Sequence, residues 1–118
     1  SAAAGNKHKE TPPMPDPIKL RATVKGNDGE VRVLMPHPME SGLRHDPSGQ
    51  LIPAHYIVSV VLSLNGRPVI EGALGTAVSA NPLFAFQLES VKAGDRLAVS
   101  WVDNKGQRGS AEGVFSAA

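Results

Sequence analysis

With 118 residues and no cysteine, the chain is long enough for one domain with its own core, and it excludes disulfides, thiol catalysis and thiolate metal sites. Its 12 Lys and Arg against 11 Asp and Glu leave a formal net charge of +1, which gives no ground for a nucleic-acid or anionic-membrane partner. No apolar run approaches the ~20 residues that cross a bilayer.

Residues 1 to 17 read as a flexible tail. Ser1-Ala2-Ala3-Ala4-Gly5 has no charged-then-apolar export pattern, and Thr11-Pro12-Pro13-Met14-Pro15-Asp16-Pro17 favours extended backbone. A single domain is expected over 18–118.

From Ile18 the apolar period is two. Ile18, Leu20, Ala22 and Val24 alternate with Lys19, Arg21, Thr23 and Lys25, which predicts a strand with one wet face. A turn is expected at Asn27-Asp28-Gly29, then a strand through Val31, Val33 and Met35. A long turn-rich loop from Met35 to Pro53 follows, of a length that is uncommon inside a small domain and usually functional. Tyr56, Val58, Val60, Leu62 and Leu64 alternate on the next strand, and Asn65-Gly66 signals a tight hairpin into Pro68-Val69-Ile70-Glu71. Phe84, Phe86 and Leu88 mark a fifth strand, Leu97, Val99 and Trp101 a sixth, and a last strand ends near Phe115. About seven short strands with frequent turns and no convincing helix predict an all-β fold, an immunoglobulin-like antiparallel β-sandwich. The absence of cysteine excludes the antibody type, and Trp101 is expected in the core.

The long loop concentrates the candidate functional residues: His37, Met39, Glu40, Arg44 and Asp46 are expected to shape a docking surface, where Arg44 could recognise a partner's backbone. His37 lies between two prolines that restrict its backbone, which suits either loop bonding or a presented contact. Glu40, Arg44 and Asp46 are close enough for an Arg fork between two carboxylates to hold the loop in one shape. His37 and Met39 with His45 or His55 raise a copper site as the rival reading, since thioether and imidazole suit Cu(I). Their spacing matches no tight ligand pattern, so no metal or other cofactor is expected. Asn81, in Val78-Ser79-Ala80-Asn81-Pro82, reads as a turn former that could flank a docking surface.

Ile57, Val61 and Ile70 are expected on the opposite face from Val58, Val60 and Leu62, making the central hairpin apolar on both sides. That pattern predicts a partner chain over the sheet, with Ile52 and Pro53 on an apolar rim beside it. No Gly-x-Ser-x-Gly, phosphate-binding glycine loop or HExxH pattern is present, so no catalytic residue is assigned and the chain is read as a non-enzyme.

The string His37-Pro38-Met39-Glu40-Ser41-Gly42-Leu43-Arg44 with Asp46, Gly49 and Leu51-Ile52-Pro53-Ala54 resembles the SoxZ family of bacterial thiosulfate oxidation. Val78 to Pro82, the Lys92-Ala93-Gly94 turn, and Trp101 with Asp103 and Gly106 extend the resemblance over about residues 18 to 115. It implies an immunoglobulin-like subunit that pairs with SoxY, whose cysteine arm carries the sulfur substrate, and that helps dock the pair transiently to other Sox enzymes. It also implies a periplasmic location, because the family's subunit is exported with its partner. The proline-rich tail has no counterpart in the family pattern.

Overall fold

The computed structural model describes residues 16–117, so most of the expected tail and residue 118 lie outside the described residues. The strands are β1 (Lys19–Lys25), β2 (Asp28–Leu34), β3 (Ile57–Leu64), β4 (Arg67–Ala73), β5 (Leu83–Leu88), β6 (Arg96–Asp103), β7 (Arg108–Val114) and the short β8 (Ser116–Ala117). They form two sheets, ordered β5-β2-β1-β8 and β4-β3-β6-β7, and every pairing is antiparallel except β1 with β8. The chain changes sheet between β2 and β3, between β4 and β5, between β5 and β6, and between β7 and β8. This is the all-β sandwich that the period-two pattern predicts.

The inner faces bury Ala22, Val31 and Val33 from one sheet against Leu62, Leu97, Val99 and Trp101 from the other. Met35, Val91 and Phe115 complete the core from strand ends and loops. Each of the valines, leucines, Met35 and Phe115 among them, fully buried, contributes about 1.5–3 kcal/mol. The Asn65-Gly66 turn forms as expected, with φ of 51° and 86°.

The first turn lies earlier than Asn27-Asp28-Gly29. It is made at Gly26 and Asn27, where Gly26 supplies a φ of 65°. Gly29 belongs inside the sheet, where a Cβ would come within 2.5 Å of both the Phe115 ring and Val91.

The expected faces of the central hairpin are corrected by two bulges. Between Ile57 and Ser59 the β3–β6 register slips by one, leaving Val58 as the extra residue. That slip turns Ile57 onto the core face, where it is fully buried and closed to any partner. Ile70 pairs with Leu62, so it too lies on the core side, half-buried against the core rather than outward. Val69 becomes the extra residue of β4 and is 46% exposed. Only Val61 keeps its expected outward position, opposite Glu71 and Ser100. The outer face of this sheet is therefore small and polar, with Ser59, Ser63, Ser100 and Ser110 among its residues.

Candidate functional site

Residues 40 to 55 fold back on themselves as a ribbon. Glu40 and His55 exchange both backbone hydrogen bonds, at 2.6 and 2.9 Å, and Ile52 N–H donates to Arg44 C=O at 2.8 Å. His45 and Leu51 face each other further out. At the tip, one Asp46 carboxylate oxygen accepts from Ser48 N–H at 2.9 Å, Ser48 Oγ at 2.6 Å and Gln50 N–H at 3.0 Å. These bonds, that of the Ser48 hydroxyl foremost, hold the Asp46 carboxyl below its usual range.

Arg44 makes a bidentate fork, but on Glu40 alone, with Nε donating to Oε1 at 3.0 Å and Nη2 to Oε2 at 2.7 Å. Asp46 stands apart and caps the tip, so the expected fork between two carboxylates is corrected to one. Leu43 is 80% and Leu51 56% exposed, with Pro53 exposed and Ile52 half-buried beside them. Exposed apolar side chains thus lie on both arms of the ribbon.

The base of the ribbon rests on a buried polar cluster. Leu97, Val99 and Trp101 point inward from β6, and Asp103 continues that alternation to the end of the strand, where it is buried. Its Oδ1 accepts from Lys105 N–H at 3.0 Å and Gln107 N–H at 2.8 Å, which shapes the β6–β7 turn. Its Oδ2 meets His37 Nε2 at 3.0 Å and His55 Nε2 at 2.8 Å. His55 Nε2 also lies 3.1 Å from Gln107 Oε1. Burial alone would push the Asp103 carboxyl up, but the bonds from His37, Gln107, His55 and Lys105 together hold it below the usual range.

The tautomer of His37 follows from its neighbours. Met39 N–H donates to His37 Nδ1 at 3.1 Å, so Nδ1 is bare and the ring proton sits on Nε2, aimed at Asp103. Burial lowers the His37 pKa, the bond to Asp103 works against that, and the charge of His55 adds to the lowering. Asn81 completes the anchor. Its Oδ1 accepts from His37 N–H at 3.0 Å, and its own N–H donates to His37 C=O at 2.8 Å. Met39 has a φ of 49° and Asn81 of 53°, left-handed conformations held in place by these bonds.

His37 and Met39 are buried, so the expectation that they lie on a docking surface is corrected: they hold the loop from within. Asn81 acts as their latch, although part of it reaches solvent. Among the residues of the copper reading, the fold brings His37 and His55 together with Asp103, their ligand atoms all within 4.8 Å, while Met39 Sδ accepts from Ile57 N–H at 3.4 Å. His45 stands apart, exposed on the ribbon.

The model of the family described as sulphur oxidation protein SoxZ matches residues 18–114. The chain belongs to the SoxZ family. It therefore has a role in the Sox system of sulfur oxidation. The SoxZ match takes in the whole ribbon, the His37–Asp103–His55 cluster and Gln107. No curated protein matches the sequence. Similar solved structures include superoxide reductase (neelaredoxin) from Ignicoccus hospitalis, at a TM-score of 0.61 and 20% identity over 97% of this chain and 88% of that one. Another is the hypothetical protein PH1083 from Pyrococcus horikoshii OT3, at a TM-score of 0.61 and 17% identity over 92% of this chain and 99% of that one. At these identities the likeness shows a shared fold.

Asp103 and Gln107 were not legible as partners of the histidines. The signal for Asp103 was present, since the alternation through Leu97, Val99 and Trp101 places it inward, and a buried carboxylate needs donors.

Proposed function

We propose that this SoxZ-family chain is the non-catalytic half of a periplasmic sulfur carrier. It pairs with a cysteine-bearing SoxY subunit and presents the pair to other Sox enzymes. The observation that carries this reading is the prefolded ribbon, which displays Leu43, Leu51 and Pro53 to solvent while His37 and Asp103 at its base are buried and hydrogen-bonded, with His55 half-buried beside them. A ribbon fixed at its tip by Asp46 and along its arm by the Arg44–Glu40 fork loses little conformational freedom when a partner covers it. Ile52 and Pro53, with Val61 on the neighbouring sheet, would extend the covered area; Ile57 takes no part. The test is binding of purified SoxY to Leu43→Glu and Leu51→Glu variants. Both sites are exposed, so the isolated chain should keep its stability to within about 0.5 kcal/mol, while affinity for SoxY falls by about tenfold or more. Wild-type affinity in both variants would remove the ribbon from the interface.

The convergence of His37, His55 and Asp103 also bears on a copper site. Coordination through His37 Nε2 would move its proton to Nδ1, against the Met39 N–H that already points there. The arrangement therefore favours a hydrogen-bonded cluster. Tight stoichiometric Cu(I) binding that His37→Ala abolishes would reverse this preference.

A further inference from the structure

The outer face of the β5-β2-β1 sheet is electrically lopsided. The register sets Lys19, Leu34 and Leu83 in one row, Arg21, Arg32 and Ala85 in the next, and Thr23, Glu30 and Gln87 in the third, with Lys25 opposite Asp28 beyond. Lys19, Arg21, Arg32 and both leucines thus occupy one end, while both carboxylates lie at the other with Lys25 beside them. Arg21 and Arg32 are direct cross-strand neighbours, an arrangement that disfavours the isolated sheet. Arg32 has only a 3.9 Å contact to Glu30, which Lys25 shares at 3.6 Å. Among the described residues, neither Lys19 nor Arg21 has a carboxylate within ion-pairing distance. Between these side chains lies a shallow depression of about 240 Å³, lined by Lys19, Leu20, Arg21, Arg32, Leu34 and Leu83. Leu83 is 66% exposed on the free edge strand.

We propose that this end of the sheet is a docking surface for an acidic protein partner, one that sets carboxylates around an apolar side chain. Charge complementarity identifies the occupant. Three cations gathered around two leucines match a mixed acidic and apolar protein surface, whereas a small anion would leave the leucines wet. A uniformly anionic membrane plane would meet Glu30 and Asp28 on the same face. The surface shares no residue with the ribbon, and its test does not depend on the SoxY reading.

The test is titration of the full ¹⁵N-labelled chain with a synthetic peptide of alternating Glu and Leu, followed by NMR. The expected shifts centre on the amides of Lys19, Arg21, Arg32, Leu34 and Leu83. Raising the ionic strength from about 0.01 to 0.15 M, which shortens the Debye length from about 30 to 8 Å, should weaken binding steeply. Arg21→Glu turns the repulsive Arg21–Arg32 neighbours into an attractive pair, so the fold is kept while a carboxylate enters the patch and most of its positive charge is removed. Binding should fall by about tenfold, and Arg108→Glu, on the other sheet, should leave it unchanged. Shifts centred elsewhere, wild-type binding by Arg21→Glu, or the same shifts at the same affinity with inorganic sulfate would overturn the proposal. Tighter binding to phosphatidylglycerol vesicles than to the peptide, lost in Arg21→Glu, would overturn it in favour of a lipid surface.

Discussion

Asp103 is the residue on which three separate segments agree. Its two oxygens collect two imidazoles and two backbone amides, so removing the carboxylate orphans one buried and three part-buried donors at once. Asp103→Ala should therefore cost about 3 kcal/mol or more, read as a lowered urea midpoint. The protonation balance has a definite sign. His37 has a folded pKa below its ordinary value, so the unfolded chain binds the extra proton. The contribution of His37 is complete above about pH 6.5 and is lost as pH falls through its lower folded value. Asp103, also depressed, contributes above about pH 3.9 and fails only in stronger acid. Urea midpoints should thus decline in two stages on acidification. In His37→Asn the first stage should shrink, and an unchanged first stage would assign it to another group.

At the level of elements, a bulge decides what the central hairpin offers. Ile57 and Val61 have the same parity in the sequence, yet one is sealed in the core and the other faces out. Ile57→Ala should cost about 2–5 kcal/mol in chemical denaturation. Val61→Glu should change the stability of the isolated chain far less, and a loss as large as that of Ile57→Ala would contradict the register. The contrast also explains what was legible beforehand. Strand period, the Asn65-Gly66 turn and the internally bonded loop are local, and their residue types announce them. The one-residue slip at Val58 has no glycine or proline to mark it, so the alternation was carried straight through it. The histidine cluster was hidden for another reason: His37 and Asp103 are 66 positions apart, and only the closed sandwich brings them together.

For the whole molecule, the division of labour is spatial. The ribbon and the basic end of the β5-β2-β1 sheet are exposed and share no residue, whereas His37 and Asp103 are internal and His55 is half-buried. A SoxY subunit that binds the folded chain and not the unfolded one should raise its thermal midpoint in proportion to the logarithm of free SoxY concentration. A midpoint independent of SoxY concentration would count against the proposed pairing.

The indole of Trp101 packs edge-on against the His37 ring, with centroids 5.1 Å apart, over Gly109, where a Cβ would collide with the ring. It is the chain's only tryptophan. Emission excited where tyrosine does not absorb therefore comes from a fluorophore built into the foot of the ribbon, and a proton arriving on that imidazole should change its brightness. The protein carries its own optical gauge of whether the ribbon is still fastened, with no label attached.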